Sequence, residues 1–260
     1  MLTRETRPPW SGITPLWRSC PGASRRTLRR TGLLTQCLTT TTRVLFLAVW
    51  SDISSSGQRE RTFTEKARRA QIIQCAIDTI ADVGYVRASL AEIAKRAGIS
   101  KGVISYHFAG KDELIERVVD HVYHRGAEQI TPLLQRQPTV AATLRTYITG
   151  NIEFIRDHQC EVAVLTDIFA NDRTADGQLR YGMHTDEPLL APLRELFEAG
   201  QRSGEFRQFS PAAMARVLRT AIDSTAPQIL AFPDFDPDAY ACELVTLFDL
   251  ATRKGPSYPP

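Results

Sequence analysis

The sequence predicts an all-α protein in which a three-helix, helix-turn-helix unit is followed by a longer helical domain. Three observations predict it. Residues 89–111 read as two short helices joined by a glycine turn, apolar residues recur at helical spacing on either side of that stretch, and no convincing strand or internal repeat appears. The 260 residues and 43% apolar composition allow one large or two ordinary domains with buried cores.

The first helix is expected over residues 64–83, with Ile72, Ile73, Ala76, Ile77, Ile80 and Val83 along one face and a stop at Gly84. Lys66, Arg68 and Arg69 near its start are either a solvated face or phosphate contacts. The second helix opens at Ser89, an N-cap whose capping box is completed by Glu92, and Leu90, Ile93, Ala94 and Ala97 form its apolar stripe. Gly98 stands where a helix C-terminus takes a left-handed residue, Ile99 can pack inward, and Ser100 is placed to cap the next helix. That third helix, residues 101–108, is short and carries Gly102. A glycine inside a helix costs on the order of 1 kcal/mol relative to alanine, so either another protein element or a DNA strand comes close to the backbone there. Lys101, Ser105, Tyr106 and His107 favour DNA, since they offer a cation, a hydroxyl, a phenol and an imidazole within two turns.

A fourth helix opens at Gly110, with Asp112 and Glu113 favourable to its N-terminal dipole and Leu114, Ile115, Val118, Val119 and Val122 facing inward. Lys111 runs against the dipole rule, which makes sense where a phosphate also sits at that helix end. Beyond residue 131 the pattern is helical and interrupted by loops. Leu144, Ile148, Ile152 and Ile155 mark one helix, and Val162, Leu165, Ile168 and Phe169 mark another. Residues 171–186 read as a loop or broken helix. Leu189, Leu190, Leu193, Leu196 and Phe197 stripe a helix that stops near Gly204. Ser210–Pro211 and Asp236–Pro237 each supply an N-cap and first-turn proline for the last two helices, the first of them extending to about residue 228.

The pieces from Ala67 to Leu114 resemble the TetR family of transcriptional regulators: a first helix ending in Val83-Gly84-Tyr85, then SLAEIAKRAGIS, then KGVISYHF, then GKDEL, in order and at the right spacing. The resemblance implies an N-terminal helix-turn-helix DNA-binding domain, residues 58–110, and a C-terminal helical ligand-binding and dimerisation domain, residues 111–260. The residues expected at DNA are Ser89, Lys101, Gly102, Val103, Ser105, Tyr106, His107 and Lys111. Many family members carry an aromatic residue at the position of Ser105, so either Ser105 or Tyr106 takes the usual phosphate contact. For the second domain the resemblance implies an effector pocket, to which Tyr147, Asn151, Phe154 and Phe169 are assigned, and a dimer interface, to which Leu193, Phe197, Met214 and Leu218 are assigned. Ordinary core packing is the alternative for each of these.

Charge divides the same way. Residues 61–111 hold nine Lys or Arg against four Asp or Glu, whereas residues 131–260 hold twelve against seventeen, so the modest net charge of +3 conceals a basic DNA-facing end. Residues 1–57 match neither part. They contain all three tryptophans and a threonine run at 39–42, and they read either as an extension ahead of a true translation start between residues 44 and 60 or as a disordered basic arm. The longest uninterrupted apolar run, Val44 to Trp50, is seven residues, against the roughly 20 needed to span a bilayer, so no membrane partner is expected.

Other chemistries find little support. The five cysteines have no paired or CxxC spacing, which fits a reducing cytoplasm and implies neither a disulfide framework nor a zinc site. His121 and His124 lack a third ligand at convincing spacing. Asp157, His158 and Cys160 suggest a nucleophile and base only superficially, because near neighbours on a helix do not face one another. No enzyme, metal or cofactor is expected. The function expected is a homodimeric regulator, usually a repressor, that binds a palindromic double-stranded operator and is released by a small-molecule effector. The alternative is a DNA-binding protein without effector control, constitutive or architectural.

Overall fold

A computed structural model describes residues 62–181 and 187–254. The extension of residues 1–57, including Val44 to Trp50, lies outside the described residues. Among them the regular structure is helical, and the only β pairing is two isolated bridges, Arg173 with Leu179 and Phe206 with Arg253. No helix among the described residues is long and apolar enough to cross a membrane.

Three helices form the N-terminal unit. Helix α1, Phe63–Val83, starts at a reciprocal capping box that the sequence reading missed: Thr62 Oγ1 accepts from the Glu65 amide at 3.3 Å, and Glu65 Oε2 accepts from the Thr62 amide at 2.9 Å. It ends at Gly84, whose φ of 81° is costly for a side-chain-bearing residue. Helix α2, Leu90–Ala97, is capped by Ser89, whose Oγ accepts from the Glu92 amide at 3.2 Å; the return bond expected from Glu92 is not formed. Gly98 is left-handed as expected, and the Ile99 amide closes the turn onto the Ala94 carbonyl at 3.0 Å. Helix α3, Lys101–His107, follows. Ser100 holds its N-cap position by backbone alone, without a side-chain cap bond. Ile72, Ala76, Ile77, Ile80, Ile93, Ile104 and Phe108 close the small core.

The 24-residue α4, Lys111–Leu134, packs on α1 and on α5, Val140–Asp157, so it belongs to both parts of the fold. His158 separates α5 from α6, Gln159–Asn171; its ring stacks on Phe154 at 4.2 Å and its Nδ1 lies 3.0 Å from the Phe154 carbonyl. This histidine is therefore a helix-junction residue. Residues 172–181 are irregular, as expected for a loop. Helices α7, Glu187–Ser203, and α8, Pro211–Asp223, pack closely together. The helix expected over 211–228 breaks at Ser224, where α9, Thr225–Ala231, begins. Helix α10, Pro237–Thr252, lies against α5, with Asp236 Oδ1 capping two amides.

Candidate functional site

The recognition surface is held from behind by one arginine. Arg69 on α1 is buried, contrary to the reading of a solvated or phosphate-contacting side chain. Its guanidinium donates to the His107 carbonyl and to Glu113 Oε1, and stacks 4.1 Å from the Phe108 ring centroid. Glu113 Oε2 also accepts from the Ala109 amide at 2.7 Å. Burial works against the Glu113 charge, but that amide and Arg69 outweigh it and hold the carboxyl below its usual range. The C-terminal end of α3 is thus tied to both α1 and α4.

The outer side of α3 carries the expected chemistry. Lys101, Gly102, Ser105 and Tyr106 are exposed, Val103 and His107 are half-buried, and Ser89 stands exposed at the start of α2. Tyr106 is 75% exposed; its hydroxyl lies 3.4 Å from Glu65 Oε1, and its ring meets the His107 ring edge-on at 5.0 Å. At Gly102 an added Cβ would meet only Ser100 Oγ, at an ordinary 3.6 Å, so no described protein element demands the glycine. Of its two sequence readings, a close protein neighbour is ruled out among the described residues.

Lys111 behaves differently from the other expected contacts. Its Nζ donates to the Tyr85 carbonyl at 3.0 Å and sits 4.2 Å from the Tyr85 ring centroid, half-buried, and burial lowers its pKa. Tyr85 itself is clamped: its amide donates to Asp167 Oδ2 and its hydroxyl to Asp172 Oδ1, both at 2.7 Å. Burial, then the Asp172 carboxylate, raises the phenol far above its ordinary pKa, so it stays protonated and keeps its proton for Asp172. Arg180 completes the cluster by bonding Asp172 and Asp112. This polar seam joins α1 to the end of α6, and neither Tyr85 nor Asp172 carried a sequence signal for it.

Helix α6 faces a cavity of about 350 Å³ among α4, α5, α6, α7, α8 and α9. Tyr147, Asn151, Phe154 and Phe169, drawn from the sequence, all line it. The charged lining residues among those described, Arg219 and Asp223 on α8, were missed. The Arg219 side chain is 13% exposed and donates to Asp223 and, at 3.4 Å, to the Tyr147 hydroxyl. Burial opposes its charge, but Asp223 and the neighbouring phenols outweigh that and raise its pKa, so it is cationic.

The dimer assignment needs correction. Leu193, Phe197 and Leu218 are fully buried inside one chain, and Met214 is partly buried against the same core, because the stripes of α7 and α8 cover each other. Exposed apolar side chains stand elsewhere, among them Val217, Leu247 and Leu250.

A buried scaffold presenting a short polar helix across a glycine turn from a capped second helix defines a helix-turn-helix DNA-binding protein. The family model for bacterial regulatory proteins, tetR family, matches residues 72–118. The HTH-type transcriptional regulator BetI of Cronobacter sakazakii is 30% identical over 164 residues, covering 60% of this chain and 74% of that protein. The chain belongs to the tetR family of bacterial regulators: it is a DNA-binding transcriptional regulator, not an enzyme. Among solved structures, the regulator FadR of Bacillus subtilis in complex with stearoyl-CoA superposes with a TM-score of 0.58 at 21% identity, covering 68% of this chain and 96% of that one. AibR in complex with isovaleryl coenzyme A and operator DNA superposes at 0.55 with 20% identity, covering 69% and 97%. These two likenesses establish the fold.

Proposed function

We propose that the protein is a repressor that binds a palindromic operator as a homodimer and leaves it when a small-molecule effector fills the helical-domain cavity. Residues 58–110 would form the DNA-binding domain and 111–260 the effector-binding and dimerisation domain. Lys101, Gly102, Val103, Ser105, Tyr106 and His107, with Ser89 at the α2 N-terminus, are assigned to DNA. Tyr106 stands far out in solvent, which supports giving it the aromatic phosphate contact and Ser105 a lesser one. Lys111 is reassigned from a direct phosphate contact to a residue that positions Tyr85. The observation that carries the reading is the exposed polar face of α3, pinned from behind by Arg69 and free of any protein reason for Gly102.

A single seven-residue recognition helix makes few contacts, and two of them reading half-sites ~34–36 Å apart would supply specificity. Exposed Val217, Leu247 and Leu250 support association through the C-terminal helices. Effector control is supported by α6, which faces the cavity with Leu165 and Phe169 and holds Tyr85 through Asp167. A ligand that fits only one setting of α6 would shift the population of recognition-helix positions. The two coenzyme A esters found in proteins of this fold agree with such control.

Titration of the full chain against DNA from its own upstream region and against scrambled DNA, at two salt concentrations, tests the reading. Selective binding with two or four chains per site is expected. Lys101→Ala should reduce the salt slope by about 0.9, as for one lost phosphate contact, and Tyr106→Ala should weaken binding about tenfold or more. Equal affinity for both DNAs would leave a nonspecific DNA-binding protein.

A further inference from the structure

The cavity has two unlike parts. Ile130, Leu134, Phe154, Leu165, Phe169 and Pro192 give it a long apolar wall, and the charged side chains among the described lining residues are Arg219 and Asp223. These two do not face the cavity equally. The Arg219 side chain is 13% exposed, whereas that of Asp223 is 53% exposed, so water screens the carboxylate and the enclosed space chiefly experiences the guanidinium.

Hydrogen-bond roles point the same way. Because the Tyr147 hydroxyl oxygen accepts from Arg219 Nη1, its proton is directed away from the guanidinium, and no acceptor for it occurs among the described residues. Arg219 Nε and Nη2 are committed to Asp223, while Nη1 makes only the 3.4 Å bond, leaving N–H capacity unused. Asn151 is anchored by its Nδ2 to the Tyr147 carbonyl at 2.8 Å, which fixes this corner of α5. The polar corner therefore offers two unused donors, the Tyr147 hydroxyl and Arg219 Nη1, beside a cation at one end of an apolar chamber.

We propose that the cavity takes an amphipathic carboxylate, its acid group accepting from Arg219 and the Tyr147 hydroxyl and its hydrocarbon body lying on the apolar wall. This rests on the reading of the cavity as the effector site. A volume of about 350 Å³ is at the small end of ligand pockets, which suits a medium-chain acid. Arg219 and Tyr147 are the specificity-determining residues for the head group, and Asp223 tempers the charge of the arginine.

Calorimetric titration of the full chain with decanoate, decanol and decyltrimethylammonium, each below its micelle concentration, tests this directly. Decanoate should bind about tenfold or more tightly than decanol, as expected for a charged hydrogen bond in an enclosed site, and the ammonium should not bind. Arg219→Gln should remove the preference for acid over alcohol, and Ala127→Phe, which fills the chamber, should weaken both. Asp223→Asn should tighten decanoate, an effect that a merely structural ion pair would not produce. A preference for the ammonium, or weaker decanoate binding in Asp223→Asn, overturns the assignment of the head group; binding of none of the three overturns the ligand class altogether. If decanoate binds as described yet leaves operator affinity unchanged, the ligand class stands and effector control falls.

Discussion

At the DNA-facing end, Lys101, Ser105 and Tyr106 stand in solvent on one seven-residue helix, whereas the charged group of the cavity is enclosed and reaches a tyrosine 72 residues away in sequence. The first arrangement is a local device. It depends on two caps, a left-handed glycine and a buried arginine, and its side chains contribute little to stability because they touch little. The second depends on the packing of six helices, so its binding groups are also structural groups. Variants at the two ends should separate affinity from stability accordingly.

Two glycines sharpen that contrast from opposite sides. Gly200 on α7 is buried, and a Cβ there would overlap one edge of the Phe206 ring, which is itself 3% exposed and packs in a triangle of rings with Phe197 and Phe209. Overpacking of a close-packed core usually costs ~1–3 kcal/mol. Gly200→Ala is expected at the upper end, about 3 kcal/mol, and the thermal midpoint followed by circular dichroism should fall by roughly 6–12 °C. An unchanged midpoint would mean that Phe206 moves aside without penalty.

How legible each end was in the sequence follows from the same contrast. Ser89, Gly98 and the α1 stripe were readable because caps and periodicity are short-range properties. Arg69 was not, since its burial is decided by His107, Phe108 and Glu113, some 38 to 44 residues onward. In the second domain, α5 and α6 were placed correctly and their aromatics fell on the cavity, but a stripe cannot say which neighbour covers it. Leu193, Phe197 and Leu218 were assigned to a second subunit when the covering helix belongs to the same chain. Arg219 and Asp223, spaced i,i+4, looked like any solvated helix pair.

Tyr85 lies where the two regimes meet. Tyr85→Phe keeps the ring against Lys111 and removes only the hydroxyl that donates to Asp172, a carboxylate 3% exposed. Removing one donor from a buried acceptor costs ~1–3 kcal/mol, and Arg180 still satisfies the other oxygen, so a loss of about 2 kcal/mol is expected by denaturant unfolding. Operator affinity without effector should change little, while effector-driven release should weaken. Full release in this variant would show that α6 does not act through the Tyr85 clamp.

The smallest expected effect is the most discriminating. Gly102 has no positive φ and an added methyl group meets only Ser100 Oγ at an ordinary distance, so alanine fits the free protein. Restricting the unfolded chain and favouring the helix should stabilise Gly102→Ala by about 0.5–1 kcal/mol. Operator affinity should move the other way, falling several-fold, because a methyl group at a backbone close to DNA displaces the strand that the glycine admits. Higher stability with weaker operator binding would locate the demand for glycine in the complex. Higher stability with unchanged binding would place DNA farther from the start of α3 and shift the contact toward Ser105 and Tyr106, one helical turn on.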